Sequence, residues 1–373
     1  MSILSDILSE RSVLQLARLA AKSGLEFDRL QQLAAGAEAS LGELRRLSGP
    51  LHLPINDLLP PSPAVEKTEL LFRRSLSPGA KLPPAAGMLA RQMSSSLSLA
   101  TEFHRDLAWR GAFSPAQNSV GHAEANASIF RSLFYGDDQL SPITRLPHIV
   151  GDRMGVNLYV ISSTEVDGAS AILDGQAFTF VSARFPPRML FTLAHEVGHL
   201  VAHHGNDPFA ILDEDIESAP TGPNREIEAY ANTFASALLM PRESVGLALK
   251  TIRRTIKAQS DKIGDVEINY LARIYGLSFW AAARRCEDLE LLPVGGAHAL
   301  NAKLVADHGS AEQRAEQLGL PPRAEIVFPK VPSQLMDAAI ANIKAGEISI
   351  GRAANSLGVS LADLISANAP TRH

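Results

Sequence analysis

The stretch Arg188 to Gly205, Arg-Met-Leu-Phe-Thr-Leu-Ala-His-Glu-Val-Gly-His-Leu-Val-Ala-His-His-Gly, constrains this chain more than any other. Leu190, Leu193, Ala194, Val197, Leu200 and Val201 recur at helical spacing. Pro186 and Pro187 stand where a helix can start without losing a needed N–H, and Gly205 stands where one can stop. On that helix His195 and His199 are four residues apart, so both imidazoles leave one face and can reach one cation. Glu196 is offset by one residue, too poorly aimed to join them as a ligand and placed instead to take a proton from water on the metal. Gly198 costs ~1 kcal/mol against Ala in mid-helix, a cost that makes sense where another backbone or a substrate must come close. The bland alternative is a core helix with two incidental histidines.

A catalytic zinc usually has three protein ligands and one open position. Downstream, Pro223 to Pro241 reads as a second helix with Ile227, Ala231, Phe234, Ala235 and Leu238 on its apolar face. Glu228 and Asn232 share another face, so the carboxylate can bind the metal while the amide orients a ligand imidazole. The competing acidic run Asp213, Glu214, Asp215 and Glu217 lies in what reads as a loop. Glu228 is the expected third ligand.

His195-Glu-Val-Gly-His199-Leu-Val-Ala-His203, followed by Glu228-Ala-Tyr-Ala-Asn232-Thr-Phe234-Ala and Leu-Leu-Met-Pro241, resembles the ImmA/IrrE family of bacterial metallo-endopeptidases, from near Ser141 to Pro241. The resemblance implies a zincin-like domain in which zinc is held by His195, His199 and Glu228, with Glu196 as general base. It also implies a site-specific endopeptidase that cleaves a cytoplasmic regulatory protein, typically a transcriptional repressor, in a stress or regulatory pathway. His203 matches a recurrent family position and reads as a supporting residue, as does Asn232.

Net charge is −5, which excludes polyanion binding by bulk electrostatics. Cys286 is the single cysteine, so an internal disulfide and a cysteine-based metal site are both excluded. No run approaches a membrane span and the N-terminus lacks a secretory pattern, so a cytoplasmic protein is expected.

From Arg11 to Leu59 the chain reads as short helices split by a turn at Ser23-Gly24-Leu25, a helix-turn-helix pattern that resembles the XRE-type domains often joined to this peptidase family. Residues 1–60 carry six basic side chains against seven acidic ones, a thin set for phosphate neutralisation, so DNA binding and protein docking or dimerisation both stay open. Pro60-Pro61-Ser-Pro63 marks a boundary. Residues 61–140 read as a helical connection in which His104 and His122 are surface residues.

The peptidase-like domain is expected over 141–245. A helix from Ile143 to Met154 leads it, and Val156–Ile161, Gly168–Leu173 and Ala177–Val181 form a small, mainly antiparallel sheet. The Asp174-Gly175 pair has hairpin spacing. An edge strand of that sheet is expected to pair with extended substrate, and Tyr230 and His204 are candidates to stabilise an oxyanion. Residues 246–373 read as a helical extension with two further helix, Gly turn, helix segments at Gly276 and Gly358, whose aromatics Tyr270, Tyr275, Phe279 and Trp280 are expected in the core.

The class expected is therefore α+β and mostly helical. The function expected is a zinc endopeptidase, with a protein substrate, DNA through residues 1–60 and a second copy of the chain as partners. The alternative is a DNA-binding transcriptional regulator whose metal site is sensory or vestigial.

Overall fold

The computed structural model describes residues 3–58 except 10, 52 and 54, then 68, 69, 72, 83–99, 107–114, 117–204 except 164, 210–213 and 224–368. Pro60 to Pro63, Pro78, Gly79, His104, Gly205, Glu214, Asp215, Glu217 and Pro223 lie outside the described residues. The chain divides into two compact units, Met1–Lys67 and Thr68–His373.

In the first unit five helices, α1 (Ile3–Ser9), α2 (Val13–Ser23), α3 (Phe27–Ala34), α4 (Leu41–Leu51) and α5 (Ile55–Leu58), close over a leucine core that includes Leu8, Leu19, Leu30, Leu33 and Leu47. A reciprocal cap starts α2: Gln15 N–H donates to Ser12 Oγ and Ser12 N–H to Gln15 Oε1. Gly24 ends it with φ 67°, at the turn the sequence marks. Helix α1 is an addition to the elements expected from the sequence.

The second unit opens with α6 (Pro84–Leu99) and α7 (Val120–Tyr135). The helix expected over Ile143–Met154 is present from Leu146 to Arg153, an α-helical turn (Leu146–His148) that runs directly into a π-helical one (Ile149–Arg153). Four strands follow in the order β1-β3-β2-β4: β1 (Asn157–Ile161), β2 (Gly168–Leu173), β3 (Gln176–Ser182) and β4 (Ala210–Asp213). Asp174 and Gly175 both take positive φ, 50° and 74°, as a two-residue hairpin turn requires, and Leu173 pairs with Gln176 across it. The sheet is mainly antiparallel, as expected, with two features the sequence does not mark. β1 pairs with β3 in parallel, and a fourth strand, β4, pairs antiparallel with β2.

Two helices carry the chemistry-bearing residues, α8 (Pro186–Ala202) and α9 (Arg225–Leu239). The stripe of α8 is sealed, with Leu190, Leu193, Ala194 and Val197 at 0% exposure. A Cβ at Gly198 would stand 3.2 Å from Ala231 Cα and 3.1 Å from the Phe234 ring, so the close approach foreseen there is that of α9. Two buried arginines fix the far end of α9: Arg131 Nε donates to Leu238 O at 2.9 Å and Arg285 Nε to Met240 O at 3.0 Å. Both satisfy carbonyls at the negative end of the helix.

Beyond α9 come α10 (Arg242–Thr255), α11 (Asp265–Tyr275) and α12 (Phe279–Asp288), with Gly276 left-handed and Ser278 capping α12. Tyr275 and Phe279 are buried, and Tyr270 and Trp280 pack partly buried against the same core, as expected. That core is continuous from Phe113 to Leu304. Five more helices, α13 (Gly296–His308), α14 (Ala311–Gln317), α15 (Ser333–Lys344), α16 (Ile350–Leu357) and α17 (Leu361–Asn368), complete the unit. No helix among the described residues is long and apolar enough to cross a membrane.

Candidate metal centre

The apolar stripe of α8 buries the helix from Thr192 to Val201, and burial carries His195, Glu196 and His199 with it, each at 0% exposure. Polar groups so placed need partners, because an unsatisfied one costs about 1–3 kcal/mol. His195 Nε2 and His199 Nε2 lie 2.9 Å apart. From α9, Glu228 Oε2 comes within 3.2 Å of the first and 3.6 Å of the second. Three donor atoms from two helices therefore point at one spot, and among the described residues this is the group of His, Cys, Asp and Glu that could hold a metal ion.

The chemistry of the donors fits zinc. Two imidazole nitrogens and one carboxylate oxygen, with no thiolate, form a three-ligand set that leaves a fourth position for water, whereas a structural zinc would take four protein ligands. The Glu228 side chain keeps 19% exposure while both imidazoles are sealed.

The other nitrogens of the two rings are also engaged. His195 Nδ1 is 2.9 Å from Asn232 Oδ1, one turn along α9 from Glu228, so the amide oxygen accepts the Nδ1 proton and turns Nε2 inward as a lone pair. His199 Nδ1 is 3.0 Å from His203 Nδ1, and His203 Nε2 is 3.0 Å from Asn118 Oδ1. An amide oxygen only accepts, so His203 holds its proton on Nε2 and accepts at Nδ1 from His199. That leaves the Nε2 lone pair of His199 facing the centre. Burial, with His199 beside it, pulls the His203 imidazole down to about 3 and keeps it neutral, as this chain of bonds requires.

Five of these six residues are marked in the sequence by spacing or resemblance. The sixth, Asn118, stands just ahead of α7 and far from the motifs, and no local pattern marks it. His122, expected on the surface, is half-buried with its ring 5.9 Å from that of Tyr230. Tyr230 stands edge-on to His203 at 4.9 Å while its hydroxyl accepts a hydrogen bond from Asn126 at 2.7 Å, a supporting position behind the relay. His204 Nε2 lies 3.1 Å from Ser170 Oγ of β2.

Comparison with known proteins finds similarity over the same region. Residues 152–287 match the family model described as the IrrE N-terminal-like domain, a peptidase family. The match includes β1 to β3, α8 and α9, and runs on through α12. A stretch of 99 residues is 33% identical to the radiation response metalloprotease IrrE of Deinococcus radiodurans, and covers 26% of this chain and 29% of that protein.

Proposed function

We propose, on the premise that residues 152–287 form a domain of the ImmA/IrrE metalloprotease family, that this chain is a zinc-dependent endopeptidase. The observation that carries the reading is the convergence of His195 Nε2, His199 Nε2 and Glu228 Oε2, with Glu196 beside them on the same helix. His195, His199 and Glu228 would hold the ion. A bound zinc would supply Lewis acidity, polarising the scissile carbonyl and lowering the pKa of water in its open position.

Glu196 takes the proton of that water as its oxygen bonds to the carbonyl carbon, and returns it to the amide nitrogen as the C–N bond breaks. Its burial keeps bulk water from competing for the proton. Asn232 and the His203–Asn118 pair hold the two imidazoles in the tautomer that ligation needs. An extended substrate strand would pair with the outer edge of β4, the last strand on the β2 side of the sheet among the described residues.

The substrate we assign is a cytoplasmic regulatory protein, a transcriptional repressor, cut at one site in a stress or regulatory response. The family resemblance supports that reading, and the name of the Deinococcus relative, a radiation response metalloprotease, supports proteolysis in a stress response. For the first unit we favour protein docking over DNA. Arg29, the cation of α3, is bound to Glu43 at 2.7 Å and donates to Glu38 O, which removes it from phosphate contact. A steep salt-dependent affinity of the full chain for duplex DNA would restore the DNA reading.

Glu196→Gln tests the mechanism: the protein should keep its zinc and lose cleavage by about a hundredfold or more. Cleavage retained by this variant would remove Glu196 from its role.

A further inference from the structure

Gly168 opens β2 and pairs with Val181 of β3 and Asp213 of β4. Its φ is not positive, so its backbone conformation is open to any residue. Space is what the position lacks. A Cβ built there would lie 2.1 Å from Glu196 Oε1, 3.0 Å from Glu196 Cδ and 2.9 Å from Thr192 Cγ2.

Arg188, Thr192 and Glu196 follow one another at i, i+4 and i+8 along one face of α8. At the first of these steps Arg188 donates to Asp167 Oδ2 at 2.6 Å, while the Asp167 carbonyl accepts from Ser182 N–H of β3 at 2.9 Å. Asp167 is 3% exposed, so this ion pair is a fixed pin between strand and helix. The pin sets the register, and eight residues along the same face the Glu196 carboxylate arrives over Gly168, the one residue of the four strands that has no side chain.

We infer that Gly168 is a positioning residue for the proton-transfer carboxylate: by lacking a Cβ it lets Glu196 lie flat against β2, with the Asp167–Arg188 pair holding strand and helix in that register. Any larger residue displaces the carboxylate and leaves the two histidines and Glu228 where they are. The inference rests on the peptidase reading of Glu196 for its meaning, but the steric claim can be tested without metal or substrate.

The experiment is a double-variant cycle on the full chain, read by thermal unfolding with chelator present. Gly168→Ala should lower the melting temperature of the second unit by about 3–6 °C in the wild-type background, the scale of an overpacked contact in a domain of this size. In the Glu196→Ala background, where the carboxylate is gone, the same change should cost about 1 °C or less. In a Thr192→Ser background, which removes only the Cγ2 contact, most of the cost should remain. If Gly168→Ala fails to fold alone, its recovery by Glu196→Ala demonstrates the same clash.

Zinc affinity, measured by competition with a chromophoric chelator, should stay within about threefold of wild type in Gly168→Ala. Its kcat should fall at least tenfold, with KM held within about twofold. An equal thermal cost in the wild-type and Glu196→Ala backgrounds would overturn the inference, as would loss of zinc affinity in Gly168→Ala. Failure of both the Glu196→Gln test and the kcat test, with the thermal coupling intact, would instead indict the peptidase reading.

Discussion

Asn118 reaches the centre at the end of two hydrogen bonds, through His203 to His199. Removing its oxygen frees His203 to change tautomer, so His199 loses the acceptor that keeps its own proton on Nδ1. Outer partners of metal ligands are typically worth ten- to a hundredfold in affinity. Asn118→Ala should therefore weaken zinc by about tenfold while the fold holds, since the residue is exposed. Asn118→Asp, which keeps an acceptor, should restore most of it. A competition titration that found Asn118→Ala equal to wild type would show that the relay is not used.

The contact between α8 and α9 is the element on which the site depends, because each helix brings candidate ligands the other lacks. Gly198 sets its depth: Ala there would press on the Ala231 backbone and the Phe234 ring. Gly198→Ala should cost about 1–3 kcal/mol in denaturant unfolding, against a gain expected from helix propensity alone. A stabilised variant would disprove the packing account. In the first unit Glu43 accepts from Arg29 and from Ser40 N–H, and these bonds draw its carboxyl down from 4.5 to about 2. A depressed carboxyl contributes stability that is present above pH 4.5 and is lost as pH falls toward 2. Glu43→Gln should flatten stability across that window, as unfolding at a series of pH values would reveal.

Elements of this kind are readable in sequence where their signals are local. The stripe and prolines of α8, the Asp174-Gly175 turn and the Gly276 and Gly358 helix ends each sit within a few residues of what they specify. The site is readable for the same reason, since His195, His199, Glu228 and Asn232 follow from spacing along two helices. The parallel partner of β1, the docking of β4 on β2 and the approach of Asn118 are not. Each joins residues far apart in sequence whose own side chains do not announce the pairing. The helix α1 is only seven residues long, too short for periodicity to declare it.

At the scale of the molecule, the second unit builds one core in which the sheet, α8 and α9 share apolar contacts with the helices that follow. Buried Arg131 and Arg285 reach the end of α9 from α7 and α12, so elements on both sides of the metal helices hold them in place. On the proposed function, this scaffold serves to bring His195, His199 and Glu228 around one zinc ion. The most direct test is the metal content of the purified full chain beside Glu228→Ala, after zinc loading and removal of excess. About one zinc per wild-type chain is expected, lost or weakened by at least tenfold in the variant. A wild-type chain that retains no zinc would contradict it.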